Sequence, residues 1–283
     1  MSTSASGTFT IGGDLTVNRL GFGSMQLPGP GVWGDPKDPD EAVRVLRRAV
    51  ELGVNFIDTA QAYGPGVAER LIRTALHPYD GLVIATKVGL ARPGPNRWTT
   101  DGRPETLRKW AEESLANLGV QRIDLLQLHR IDNRVPLADQ IGVFTDLQKQ
   151  GKVWHIGLSE VTIAQLEAAL VMAPIVTVQN LYNLSNRTAD GLVDHAARHD
   201  IGFIPWFPLA TGKLAREQSA VAAIARRIGI SPSQLALAWL LKRSPTMLPI
   251  PGTSSVAHVE ENIAAAEVVL SDDDFAAVGA AVG

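Results

Sequence analysis

The stretch GVNFIDTAQAYGPGVAE, residues 53–69, carries the reading of both fold and chemistry. Gly53 closes a helical pattern in which apolar residues recur at Ala42, Leu46, Ala49 and Val50. NFIDTA follows as a short apolar run that ends in a carboxylate, Asp58. Tyr63 lies five residues further on, and Gly64-Pro65-Gly66 reads as a loop before the next helix. Helix, short apolar run, loop and helix together make one unit of a βα repeat.

Outward from this unit the same pattern continues. The runs LGFGSM, NFIDTA, LVIATK, DLLQLH, HIGLSE, VTVQN, GFIPWF and MLPIPG are separated by helical stretches. Each run is almost continuously apolar, as expected of strands covered on both faces. Eight of them predict an α/β fold, a closed (β/α)8 barrel. The helices carry their own start signals. Asp38-Pro39-Asp40-Glu41 and Ser231-Pro232-Ser233-Gln234 each offer a capping side chain, a proline at the first helical position and an acid or amide three on. Thr162 and Gln165 form a further capping pair. Arg103-Pro104 opens a helix that Gly119 closes. Residues 8–20, TFTIGGDLTVNRL, read as a β-hairpin turning at Gly12-Gly13, placed to close the N-terminal mouth of the barrel.

Length and composition set the limits. The 283 residues suit one barrel domain spanning 1–283, and no linker divides them. Residues 1–8 are polar, lack the apolar core of a secretion signal and are expected to be disordered. The chain has 45% hydrophobic and 19% charged residues, enough for a large core. Net charge is −3 with no basic run, which argues against nucleic acid or an anionic membrane as partner. There is no cysteine, so thiol chemistry is excluded. No stretch approaches the roughly 18 apolar residues of a membrane span. A cytoplasmic monomer or small homo-oligomer without a metal centre is the expectation.

Strand ends at the C-terminal mouth of a barrel build its active site. Here they present Asp58, Lys87 (ending IATK) and His129 (ending LLQLH), with Tyr63 on the loop after Asp58. A carboxylate ending an apolar strand is costly unless paired, and Lys87 is its natural partner. An ammonium about 4 Å from a phenol is worth on the order of 4 kcal/mol to the phenolate at an effective dielectric near 20. That predicts a Tyr63 pKa lowered by up to roughly three units, a usable general acid. Asp58 would hold Lys87, and His129 would orient a substrate oxygen. Each residue has a structural alternative: a helix cap, a surface ion pair or a satisfied core imidazole. Their joint placement favours carbonyl chemistry. Two Pro/Gly-rich loops, 28–36 and 91–103, each contain a tryptophan, making Trp33 and Trp98 candidate substrate walls. Each could equally pack its own loop.

The segments GVNFIDTAQAYGPGVAE, LVIATK, IDLLQLHRID, IGLSE, VQNLYN and IPGTSSVAHVEENI resemble the aldo-keto reductases, in that family's order, over residues 9–270. The resemblance implies a (β/α)8 barrel that reduces carbonyls with NAD(P)H. It assigns Asp58, Tyr63, Lys87 and His129 to the family's catalytic tetrad, with the tyrosine donating the proton. It further implies cofactor contacts at Ser159, Glu160 and Gln179 (carboxamide) and Trp206 (stacking on nicotinamide). Pro208, Leu209, Gly212 and Lys213 would lie along the pyrophosphate. Gly252, Thr253, Ser254 and His258 would hold the 2′-phosphate, and Glu261 and Asn262 would lie near the adenine. Glu160 stands where many members have Asn, and Trp206 where Tyr is common. Gly252 and His258 replace a Lys and an Arg, so NADPH is implied over NADH less strongly than the reaction is. Met25, Trp33, Trp98 and Arg130 are the substrate-side candidates. Arg130 could attract an anionic substrate or pair with Asp132. Two other readings stay open: a Schiff-base aldolase using Lys87, and a non-catalytic NADP(H)-sensing regulatory subunit. Specificity should lie in loops 28–36, 91–103, 130–136 and 182–188.

Overall fold

The computed structural model describes residues 2–209 and 220–281. The chain opens with a hairpin, β1 (Thr8–Ile11) antiparallel to β2 (Leu15–Asn18), turning at Gly12-Gly13. Both turn glycines have positive φ, which two-residue hairpin loops need. Seven parallel strands then form one sheet: β3 (Phe22–Gly23), β4 (Phe56–Asp58), β5 (Val83–Val88), β8 (Ile123–Leu128), β9 (Val153–Ser159), β10 (Ile175–Leu181) and β11 (Gly202–Trp206). They lie in this order across the sheet.

The eighth predicted run, residues 247–252, is not a regular strand, because Pro249 and Pro251 have no N–H to give to a ladder. It still joins the two sheet edges. Phe203 N donates to Thr246 O (2.9 Å) and Leu248 N to Phe203 O (2.8 Å). On the other side Gly21 N donates to Pro249 O (2.9 Å) and Gly23 N to Pro251 O (3.4 Å). The barrel closes through this segment.

The helices α1 (Pro39–Glu51), α2 (Val67–Leu76), α3 (Pro104–Leu118), α4 (Leu137–Lys149), α5 (Ile163–Leu170), α6 (Asp190–Arg198), α7 (Ala220–Ile228), α8 (Pro232–Arg243), α9 (Val256–Ala264) and α10 (Asp272–Ala280) accompany the strands. The capping signals act as read. Asp38 accepts from Glu41 N, and Thr162/Gln165 and Ser231/Gln234 form complete capping boxes. Most helix-facing strand residues join one large buried cluster that includes Leu126, Leu128, Ile156, Leu158 and Phe203. A second cluster pairs the hairpin residues Ile11, Leu15 and Val17 with Phe56, Val83, Ala85, Leu125, Ile204, Leu248 and Ile250. No described helix is long and apolar enough to cross a membrane.

Two expectations are corrected. Residues 1–8 were expected to be disordered, yet Thr3–Ser6 form a 3-10 turn with Thr3 and Ser6 buried. Polar atoms hold it: Thr3 N donates to Leu52 O (3.0 Å) and Ser6 Oγ to Thr3 O (2.6 Å). Loop 91–103 largely becomes a second hairpin, β6 (Leu90–Gly94) antiparallel to β7 (Arg97–Thr100). Asn96 turns it with φ +53°, a conformation asparagine tolerates better than most residues.

Candidate active site

The consecutive strand ends converge as expected for this fold. Asp58 is the last residue of β4, Lys87 lies one residue from the end of β5, and His129 follows β8 directly. Ser159 ends β9, Gln179 lies near the end of β10, and Trp206 ends β11. They surround a cavity of about 920 Å3 that Asp58, Tyr63, His129, Ser159, Gln179 and Trp206 all line. Its volume falls within the usual ~300–1,000 Å3 of small-molecule and cofactor sites.

Lys87 is fully buried, and all three of its N–H donors are used. Nζ donates to Asp58 Oδ2 at 2.6 Å, to Thr59 O at 2.7 Å and to Tyr63 Oη at 3.4 Å. Burial works against the ammonium, but Asp58 and then Tyr63 outweigh it, and the Lys87 pKa is raised. The other carboxylate oxygen, Asp58 Oδ1, accepts from Gln179 Nε2 (2.9 Å) and Gln127 Nε2 (3.2 Å). Gln127 was not among the sequence candidates. It lies opposite Lys87 in the β5/β8 register, and only that pairing reveals it.

Tyr63 differs from expectation in electrostatics, not in place. Its pKa is raised, because burial outweighs the favourable effect of Lys87, and Asp58 adds to the rise. Desolvation, which no pairwise charge attraction includes, favours the neutral phenol. His129 shifts the opposite way. Burial first, then Lys87, Arg130 and Arg92, hold its pKa well below 6.5. Its ring stands edge-on to Tyr63 at 6.0 Å, and Nδ1 is buried with no hydrogen-bond partner. An imidazole depressed in the folded state binds fewer protons than in the unfolded chain. Stability is therefore fully present above about pH 6.5 and falls as pH drops below that value. His129→Asn should flatten the fall in Tm between pH 6.5 and 5, and an unchanged slope would assign it to other groups.

Among the cofactor candidates, Ser159, Gln179, Trp206, Pro208, Leu209 and Gly252 line the cavity. Gly252 fits only as glycine, since a Cβ there would meet the Gly23 carbonyl. Glu160 does not line it. Its Oε1 accepts from Trp206 Nε1 (2.5 Å) and Leu181 N (2.7 Å), which makes Glu160 a brace on the indole. Glu160 holds this position with φ +56°. Thr253 Oγ1 accepts from Ser255 N (3.1 Å) and lies 3.4 Å from His258 Nδ1. Ser254 and His258 are exposed, Glu261 is half-buried and Asn262 is buried, on or just before α9. Gly212 and Lys213 lie outside the described residues.

On the substrate side, Met25, Trp98 and Arg130 line the cavity. Trp33 does not; its neighbour Val32 takes that place, with φ +54° turning the loop. Arg130 donates to His129 O (2.6 Å) and Ser159 Oγ (3.0 Å). The alternative pairing with Asp132 is not formed, because Arg134 holds Asp132 at 2.8 Å. Leu90, Asn96 and Phe207 also line the cavity and were missed, since nothing in their local sequence marks which way a mouth loop faces.

A closed βα barrel with this tetrad at its strand ends is the architecture of a carbonyl oxidoreductase. The sequence profile of the Aldo/keto reductase family matches residues 19–282, and the chain belongs to that family. It is 49% identical over 276 residues to an uncharacterized oxidoreductase of Schizosaccharomyces pombe, covering 98% of this chain and 90% of the relative. It is 45% identical to pyridoxine 4-dehydrogenase of Escherichia coli, covering 95% and 96%. An aldo/keto reductase from Klebsiella pneumoniae, solved with NADP and acetate, superposes with a TM-score of 0.81 at 27% identity, covering 96% and 93%.

Proposed function

We propose that this protein reduces an aldehyde or ketone to its alcohol with NADPH, with Tyr63 as the proton donor. The observation that carries the reading is the chain of contacts from Asp58 through Lys87 to the Tyr63 phenol at the cavity wall. Burial keeps the phenol protonated until an alkoxide develops beside it. Its proton then leaves toward that oxygen, and the Lys87 ammonium stabilises the phenolate left behind. The neutral His129 imidazole donates a hydrogen bond to the same oxygen and orients it. When bound, a reduced nicotinamide supplies the hydride.

The residues present fit such a group. The Ser159 hydroxyl and Gln179 amide suit its carboxamide, and the Trp206 indole, braced by Glu160, offers a flat face for its ring. Gly252, Thr253, Ser254 and His258, together with free amides at the start of α9, suit a 2′-phosphate. Pro208, Leu209, Gly212 and Lys213 are assigned to the pyrophosphate, and Glu261 and Asn262 to the adenine side. In the same reading the β1–β2 hairpin plugs the opposite mouth, which its shared cluster with the strand interior supports.

The Schiff-base alternative is disfavoured by the same contacts. An amine nucleophile needs a lowered pKa, and Lys87 has a raised one with every donor engaged.

The kinship with pyridoxine 4-dehydrogenase and the partly aromatic wall make pyridoxal the leading substrate. The test is a panel of pyridoxal, aromatic aldehydes, small aldehydes and ketones, followed by loss of NADPH absorbance. Turnover of pyridoxal, with KM for NADPH well below that for NADH, is expected. No turnover of any carbonyl would reject the reductase, and equal constants for the two cofactors would reject the NADPH preference.

A further inference from the structure

We infer that Arg92 is a positioning residue that fixes the aromatic wall of the carbonyl pocket and so makes the site select ring-bearing carbonyls over small ones; this rests on the reductase reading above. Arg92 lies in β6 and is 9% exposed. Its guanidinium meets backbone carbonyls. Nη1 donates to Val32 O (2.7 Å) and Ala62 O (2.9 Å). Nη2 donates to Gly31 O (2.7 Å) and Gly94 O (3.5 Å), and Nε to Arg97 O (3.0 Å). Its flat face lies 3.6 Å from the centre of the Trp98 ring.

These contacts tie together three segments that share no local sequence: the loop after β3, the residue just before Tyr63, and the β6–β7 hairpin. Trp98 in turn stands edge-on to Tyr63 at 6.3 Å, with 86° between the rings. One guanidinium therefore sets Val32, Trp98 and the approach to the phenol together. Only arginine has five donors in a planar fork that can also stack on an indole. A lysine keeps the charge and loses the geometry. None of the hydrogen bonds or ring contacts of Arg92 reaches Ser159, Gln179, Trp206 or Gly252, so the cofactor side should not feel its loss.

The experiment compares wild type, Arg92→Lys and Arg92→Met with pyridine-4-carbaldehyde and with propanal. Loss of the planar fork that holds Trp98 in place predicts a KM for the aromatic aldehyde raised by about tenfold in both variants, a step of about 1.4 kcal/mol. The KM for propanal should rise by clearly less than that for the aromatic aldehyde, and the Kd for NADPH, read by fluorescence titration, should stay near wild type. Equal increases for the two aldehydes, or an unchanged ratio, would overturn the inference. Trp98→Leu gives the same test if an Arg92 variant does not fold. It should lose the aromatic preference, and keeping that preference overturns the inference equally. A readout without turnover separates this inference from the reductase reading. Hydrogen exchange in peptides spanning residues 28–34 and 90–100 should accelerate together in Arg92→Met, with β8 and β9 unchanged. If wild type reduces no carbonyl, the reductase reading fails, and unaccelerated exchange in those peptides is what would sink the role of Arg92.

Discussion

Tyr63→Phe should lower carbonyl reduction by about 10²- to 10⁴-fold, the usual scale for loss of a positioned general acid. NADPH binding, followed by fluorescence, should be unchanged. The ring is retained, so its edge-on contacts with Trp98 and His129 survive, and only the phenol oxygen is removed. Lys87 Nζ then keeps its bonds to Asp58 and Thr59, and the protein should remain folded. Near-full turnover would show that another group gives up the proton. His129 is a poor candidate for that role, because its depressed pKa leaves it with no proton to spare at neutral pH beyond the one it donates in a hydrogen bond.

Lys87→Met should have the largest effect on stability. The ion pair with Asp58 is buried on both sides, with side-chain exposures of 0% and 2%. Removing one partner leaves a carboxylate in the interior with only two amide donors, those of Gln127 and Gln179. Breaking a buried pair in this way costs about 3–5 kcal/mol, to be read as a lower midpoint in urea denaturation. The double variant Lys87→Met/Asp58→Leu should recover most of that loss, since an apolar pair replaces the ions, yet remain inactive. A single variant as stable as wild type would mean that Asp58 takes up a proton or reaches water without penalty. Recovery of activity in the double variant would remove Lys87 from the mechanism.

Much of the fold was legible because strand and helix signals are local. Eight apolar runs, proline-marked helix starts and glycine stops lie within windows of a few residues. The misreadings fall where local signals compete or run out. The proline pair in 247–252 keeps an apolar run from forming a regular strand, although its carbonyls still close the barrel. Hairpin β6–β7 was hidden by its Pro/Gly content, which reads as loop. At the mouth, Val32 and Trp33 are adjacent, and which of them faces the cavity depends on one positive φ.

By itself the sequence determined that a carboxylate, an ammonium and an imidazole would end neighbouring barrel strands with a phenol close by. In a parallel barrel, strand order and strand ends follow from the order of the runs. Tertiary structure alone decided how these groups are charged and what braces them. Burial, which no residue carries in its own identity, raised the Tyr63 pKa against the pull of Lys87. Contacts across long sequence separations set the rest: Gln127 and Gln179 on Asp58, Glu160 on Trp206, and Arg92 on the loop after β3 and on the residue just before Tyr63. Their partners lie between about 20 and 120 residues away, beyond the reach of any periodicity.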